Sequence, residues 1–410
     1  MQLNKTKFYF FNYFSNFLVL ISIPLITILY SPEDYSDFSL ILIAGTLLSA
    51  LATCRLEYVL IGCKSRQEKD ALVILSSNTL IYACILFSVC YLLIPTTIFD
   101  GKSIYIINIP FTIVLGLTNG LMQIGFQASI ANNNYTGIIL HKITLSASVI
   151  VCQVLFGLAS LGVTGLVIAQ VIGYTLTFIL HAKDEIPLCA SCIRELKSLK
   201  VITSTHRRTM GIYATTVGLN HSGPIIIMYA LSEYFGPQIS GFYALSQRIF
   251  GAPITLIASP IGTLFSQSFS ILSIQKGGDA LAKLYASTAG KLLLIGIPVQ
   301  IFTLFCLLFF AGTFLGPKWA NITQISSPLI LMYIADFIMT PISLCLIYLN
   351  RHNHQLIWET IRLISIAAAL YFCISNSLSI TQTLFSLSIL WAGLKLLLYW
   401  MTRKELVKQA

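Results

Sequence analysis

Apolar runs long enough to cross a bilayer recur about every 30 residues along this chain, with short polar links between them. That spacing leaves few options. Lipid offers no hydrogen-bond partner to a peptide group, so each run must satisfy its backbone internally, as a helix. Soluble domains carry about 25% charged residues. Here 10% are charged and 56% are hydrophobic. The expected fold is an all-α polytopic membrane protein with no room for a large soluble domain.

The expected spans are 10–30, 38–61, 71–95, 104–128, 138–159, 162–181, 212–232, 240–268, 290–312, 325–349, 355–374 and 380–400, about twelve transmembrane helices. Lys5 and Lys7 precede the first run, but no small-residue cleavage site follows, so 10–30 reads as a retained helix. The links expected on one side hold two cations, Lys102 and Lys318, and five acids, Glu33, Asp34, Asp37, Asp100 and Glu233. Apart from Arg55 and Arg248 within spans, the remaining cations fall on the other side or near helix ends facing it. That bias places both termini in the cytoplasm. The formal charge of +10 is read the same way, since no basic-aromatic patch points to nucleic acid.

The longest polar segment, 182–211, carries Lys183, Arg194, Lys197, Lys200, Arg207 and Arg208. It separates an N-terminal six-helix bundle, 1–181, from a C-terminal one, 212–410. With six spans each, the halves share one orientation and form a parallel repeat. A trace of it survives: Pro32, Phe38 and Leu40 correspond to Pro237, Tyr243 and Leu245 at an offset of 205 residues.

Charges inside spans are few. Arg248 lies about eight residues into its span, roughly 12 Å from the outer end. A guanidinium at bilayer depth costs about 3 kcal/mol on insertion scales and does not escape by deprotonation. Two readings compete: a cavity-facing cation for an anionic substrate, or an ion pair with Asp336 or Glu57 that locks helices together. Gln247 and Ser246 add polar capacity beside it, and Gly251, Pro253, Pro260 and Gly262 loosen the helix. Arg55 could reach cytoplasmic headgroups or meet substrate. A direct pair with Glu57 is not expected, because residues two apart on a helix face different ways. Asp336 could carry a coupling ion or neutralise Arg248, and Glu57 is a second coupling candidate. Glu359 and Arg362, three apart, can neutralise each other. Asn220 and other in-span amides suit a sugar-lined cavity or interhelical bonds. Gly116-x-x-x-Gly120 and Gly312-x-x-x-Gly316 suggest close helix approach.

The ten cysteines are scattered, and Cys189-x-x-Cys192 lacks a second ligand pair, so neither metal nor cofactor is expected. Gly-rich phosphate loops, Gly-x-Ser-x-Gly and His-Glu-x-x-His are all missing, and the outer links are short, which argues against an enzyme.

Four segments resemble one family: Leu29-Tyr-Ser-Pro-Glu-Asp-Tyr-Ser-Asp-Phe38; Leu51-Ala-Thr-Cys-Arg-Leu-Glu-Tyr-Val-Leu-Ile61; Asn220-His-Ser-Gly-Pro224; and Phe235-Gly-Pro through Gly241-Phe-Tyr-Ala-Leu-Ser-Gln-Arg248 to Pro253. They are similar to the Wzx-type O-antigen translocases of the multidrug/oligosaccharidyl-lipid/polysaccharide exporter superfamily, although Ser36 stands where that family usually has Gly. The resemblance covers about residues 8–350. It implies two six-helix bundles around a central cavity. It also implies movement of a polyprenyl-pyrophosphate-linked oligosaccharide across the bacterial inner membrane, with membrane lipids and other polysaccharide-assembly membrane proteins as partners. Under that reading Arg248, Arg55, Gln247 and Asn220 meet the headgroup, and Asp336 and Glu57 are the coupling-ion candidates. A drug or metabolite exporter of the same superfamily is the alternative, and a membrane polysaccharide polymerase a more distant one.

Overall fold

The computed structural model describes residues 2–60, 66–93, 103–132, 134–182, 196–275, 278–343, 345–349 and 351–408. Cys189 and Cys192 lie outside them. The described residues form helices and no strands. In chain order these are α1 (Gln2–Leu29), α2 (Pro32–Ala52), α3 (Leu56–Val59), α4 (Arg66–Leu93), α5 (Ser103–Ala131), α6 (Tyr135–Leu158), α7 (Gly162–His181), α8 (Leu196–Phe235), α9 (Pro237–Pro253), α10 (Ser259–Gln275), α11 (Gly278–Phe314), α12 (Ile322–Ser326), α13 (Ile330–Met339), α14 (Cys345–Tyr348), α15 (His352–Ser375) and α16 (Ile380–Val407). Among the described residues nine helices are long and apolar enough to cross a membrane, ten if one bent pair counts as a single span. The expected spans at 38–61 and 325–349 cross breaks, and the other ten follow single helices among the described residues. The first is represented by the shorter apolar stretch Phe14–Leu29.

The chain divides into two compact units. One comprises Met1–Tyr30 and Asp37–Ile225, the other Ser31–Ser36 and Ile226–Ala410. The division falls inside α8. No Pro or Gly interrupts Leu196–Met210, so the polar segment read as a linker is helical from Leu196 onward.

In the first unit, Leu56, Leu72, Leu80 and Ile124 form a buried core with Leu48 and Ala128. Small residues let its helices close. A Cβ on Gly120 would fall 2.5 Å from Leu80, and one on Gly116 3.1 Å from the Gly45 carbonyl. The Gly116–Gly120 pair therefore does what its spacing suggested. Gly312 and Gly316 do not: nothing lies within 4 Å of a Cβ at either. Gly316 instead supplies a φ of +83° ahead of a short 3₁₀ turn.

In the second unit the core gathers Phe265, Phe269, Tyr285, Phe337, Trp358 and Leu398. One of its spans is broken, and another carries a π-helical turn. After Pro253, residues Ile254–Ala258 form a π-helical turn. Ile254 N–H bonds to Gly251 rather than to Phe250, and the Phe250 carbonyl accepts from Gln300 at 3.2 Å. The span expected at 325–349 is not one helix. Segments Pro317–Ser326 and Ile330–Ile342 meet at 71°. Pro328 has no N–H to continue the ladder, and Pro341 ends α13 the same way.

Two pairs of helix ends share local geometry. α2 and α9 both begin on a proline, Pro32 and Pro237. α6 and α15 end alike. Ser160 and Ser377 are left-handed, at φ 58° and 51°. Leu161 N–H bonds the Phe156 carbonyl, and Leu378 N–H bonds the Cys373 carbonyl. Both are Schellman caps.

Candidate functional site

Arg248 is eleven residues past the start of α9 at Pro237, roughly 16 Å along it. The span begins three residues earlier than the sequence reading placed it, so the arginine lies deeper in the helix. It is half-buried, and its Nη1 donates to the Tyr35 hydroxyl at 3.2 Å.

The local sequence explains why these two meet. Ser31 caps α2: its N–H and hydroxyl reach Asp34 Oδ2 at 3.2 and 2.9 Å, and its Oγ accepts from Asp34 N–H at 3.2 Å. Pro32 follows as the first helical residue. α9 crosses this turn at Gly241, where a Cβ would fall 1.9 Å from the Pro32 carbonyl oxygen. Only glycine fits there. Gly241 and Arg248 are seven apart, hence on one face of α9, so a helix that rests Gly241 on Pro32 turns Arg248 toward the same segment. Tyr35 is buried edge-on against Trp319 at 5.9 Å, and Trp319 meets Phe242 at 5.7 Å.

Around Arg248, Gln247 is half-buried, one turn on from the buried Tyr243. Ser246 and Ser326 share a hydrogen bond of 2.6 Å. Phe250 stacks on Tyr333 at 4.3 Å, just before the π turn. These contacts pack the helix beside the arginine, and the π turn at 254–258 follows six residues on.

Asp336 has its own cation. Its Oδ1 is 2.9 Å from Lys395 Nζ and accepts from Trp391 Nε1 at 2.9 Å. Neutralising Asp336 therefore does not require Arg248. Lys395, in the middle of α16, is a further charge within a span that the sequence reading missed. The signal was present, since a lysine inside Leu394–Leu398 is as conspicuous as Arg248. Glu359 and Arg362 pair at 2.7 Å, and Gln355 donates to Glu359 at 3.0 Å. Both cations, Arg362 and Lys395, lie within 6 Å of the Trp358 and Trp391 rings. This is a compact, charge-balanced cluster of two acids, two bases and two indoles.

In the first unit, α2 stops at Ala52. Cys54 and Arg55 are both left-handed, at φ 49° and 54°, before α3 begins. That break corrects the expectation that Arg55 and Glu57 face apart. They are not on one regular helix, and Arg55 Nη1 comes to 3.7 Å from Glu57 Oε1. Glu57 is 2% exposed and its Oε2 has no hydrogen-bond partner. It sits beyond the apolar span Pro32–Ala52. Burial pushes its carboxyl above the usual carboxylate range, against its own backbone N–H, the Thr53 hydroxyl and Arg55, which pull it down. Asn220 is exposed on α8. Arg248, Gln247 and Asp336 thus fall in the second unit, and Arg55, Glu57 and Asn220 in the first, where Arg55 and Glu57 are in contact. Among the described residues no three His, Cys, Asp or Glu side chains group as metal ligands would.

A sequence profile of the family described as "Polysaccharide biosynthesis protein" matches residues 25–324. The chain belongs to that family. This agrees with the resemblance carried by the four motifs. No curated protein sequence matches the chain. Among solved structures, the lipid II flippase MurJ in an inward closed conformation is similar at a TM-score of 0.68 and 16% identity, over 98% of this chain and 90% of that one. An inward-facing multidrug resistance MATE family transporter of the MOP superfamily gives 0.65 and 13%, over 97% and 94%. A MOP superfamily transporter from Pyrococcus furiosus, described as having a binding pocket of reverse polarity that suggests a different function, gives 0.59 and 12%, over 100% and 96%. The fold is that of this superfamily, with two six-helix halves.

Proposed function

We propose that this family member is a flippase, not an enzyme. It carries a polyprenyl-pyrophosphate-linked oligosaccharide repeat unit from the cytoplasmic to the outer leaflet of the bacterial inner membrane, for O-antigen or another surface polysaccharide. The observation that carries the reading is Arg248, a cation inside a membrane helix, in a polysaccharide-biosynthesis chain with the fold of a lipid II flippase. The sugar head of such a lipid does not cross hydrocarbon unaided, whereas its tail is at home in lipid. A guanidinium fork binds a diphosphate through paired N–H donors. Arg55 serves as a second headgroup contact, with Gln247 and Asn220 available to sugar hydroxyls. Asp336 and Glu57 are the coupling-ion candidates, and alternating access of the two halves moves the load.

Arg248→Ala should abolish surface polysaccharide while the protein remains in the membrane at wild-type level. A strain with normal polysaccharide would remove Arg248 from the mechanism. The likeness to MATE transporters favours a second reading, a cation-coupled exporter of drugs or metabolites. Overexpression separates the two: an exporter raises drug resistance, and a flippase leaves it unchanged. A polymerase would leave single repeat units on the surface when deleted, where a flippase leaves none.

A further inference from the structure

Resting on the reading of Asp336 as a coupling group, we infer that Lys395 decides which ion that site accepts. It is a tethered counter-cation: its ammonium stands where a monovalent metal ion would stand, so the site takes up a proton and is closed to sodium.

The geometry is that of a cation site already filled. Lys395 Nζ lies 2.9 Å from Asp336 Oδ1, and the same oxygen accepts from Trp391 Nε1 at 2.9 Å. Two indoles complete the surroundings, with the ammonium 5.5 Å from the Trp391 ring centre and 5.8 Å from that of Trp358. A carboxylate flanked by aromatic faces attracts a small cation where water is scarce. The frame does not depend on the lysine. Trp358 Nε1 donates to the Leu394 carbonyl at 3.2 Å, and Met332 N–H, one turn before Asp336, donates to Ser388 Oγ at 3.0 Å. Those bonds dock α13 and α15 on α16 by themselves.

Two cations on one carboxylate oxygen repel each other, and mostly buried surroundings screen the repulsion weakly. Sodium therefore enters only by expelling an ammonium that is covalently tied to α16 and always at hand. A proton needs no such room. It comes from water, binds a carboxylate oxygen, leaves Asp336 neutral and releases the ammonium from its ion pair. The neighbouring acid offers sodium no second ligand, because Glu359 is held by Arg362 at 2.7 Å and by Gln355 at 3.0 Å. Arg362 on α15, Tyr243 on α9 and Tyr333 on α13 are further titratable side chains close enough to feel the Asp336 charge.

The test measures binding of radioactive sodium to the full-length protein in nanodiscs at neutral pH. It compares wild type, Lys395→Ala and Lys395→Ala combined with Asp336→Asn. Wild type should bind no more than the double variant, and Lys395→Ala should bind one ion more than either. Exchanging choline for sodium at equal ionic strength should raise the unfolding temperature of Lys395→Ala by several degrees and leave wild type unmoved. Wild-type binding in excess of the double variant would overturn the inference, as would a folded Lys395→Ala that gains no sodium. Where Lys395→Ala is not recovered folded, Lys395→Gln keeps most of the stem and puts the same question with the same two answers. In proteoliposomes, a dye-labelled polyprenyl diphosphate sugar should cross the bilayer faster under an imposed pH gradient and not under a sodium gradient. Sodium-driven transport would overturn the inference. Transport indifferent to both gradients, beside a sodium-binding Lys395→Ala, would overturn Asp336 as the coupling group and leave Lys395 as its counter-cation.

Discussion

Glu57 shows most clearly what a single side chain can report. Its Oε2 has no partner, its surroundings are 2% exposed, and Arg55 at 3.7 Å is too far for a short charge-assisted bond. The backbone before it holds two left-handed residues other than glycine, each costing roughly 1–2 kcal/mol. Such strain persists where the surroundings over-determine it. Because burial raises the folded carboxyl above its unfolded value, the protonated form is favoured in the fold. Stability from this group is therefore complete below the unfolded carboxylate range and is lost as pH rises through the raised value. Glu57→Gln mimics the protonated acid, so it should unfold at a higher temperature than wild type at neutral pH, with the difference closing as pH falls. Melting curves across that range check it; an unchanged gap at all pH values would show that Glu57 is not the titrating group. The Thr-x-Arg-x-Glu residues were legible as a motif, but the break was not. Neither Gly nor Pro marks Cys54 or Arg55, and left-handed geometry there arises from tertiary packing. Tyr35 was equally hidden, since 213 residues separate it from Arg248.

At the scale of elements, the Asp336–Lys395 pair ties α13 to α16 across a site where α13 is already shortened by Pro328 and Pro341. Each side chain is mostly buried, at 16% and 11% exposed. Removing one partner leaves the other charge without compensation, which costs about 3–5 kcal/mol, whereas removing both together is often nearly neutral. Lys395→Met should therefore be strongly destabilised, and Lys395→Met combined with Asp336→Asn should recover most of the loss. Thermal unfolding of the four proteins in detergent completes the cycle. Additive losses would mean that the pair does not couple the helices. If Asp336 also carries the coupling ion, the stable double variant should remain transport-dead. Helix existence was plain in the sequence because 20-residue apolar runs admit no other structure in lipid. The π turn at 254–258 and the break at 327–329 were only half legible. Proline marks both, but at the π turn the freed Phe250 carbonyl finds its donor in Gln300, distant in sequence, and the 71° bend has no counterpart in the local pattern.

For the whole molecule, the decisive quantity is parity. Six spans in each half would give both halves one orientation, and local features recur in step with that expectation: Pro32 and Pro237 each open a helix, and Ser160 and Ser377 each close one. The first pair is 205 residues apart and the second 377 − 160 = 217, so the repeat drifts by twelve residues between its ends. A fixed-offset comparison loses that register, which is why the sequence showed only a trace of it. The charge bias predicts an orientation for the whole chain: the stretches read as links between paired helices hold five acids and two cations, with Glu33, Asp34 and Asp37 in the first turns of α2 and Glu233 near the end of α8, while Arg207, Arg208, Arg403 and Lys404 are expected on the opposite side. Reporter fusions at the C-terminus and within 183–195 should both read as cytoplasmic, and fusions at Ser31–Ser36 and after Phe314 as external. Replacing Arg207 and Arg208 with Glu should weaken that preference without inverting it, because Lys183, Arg194, Lys197 and Lys200 remain. A cytoplasmic signal from a fusion after Phe314 would break the parity and, with it, the parallel relation of the two halves on which alternating access depends.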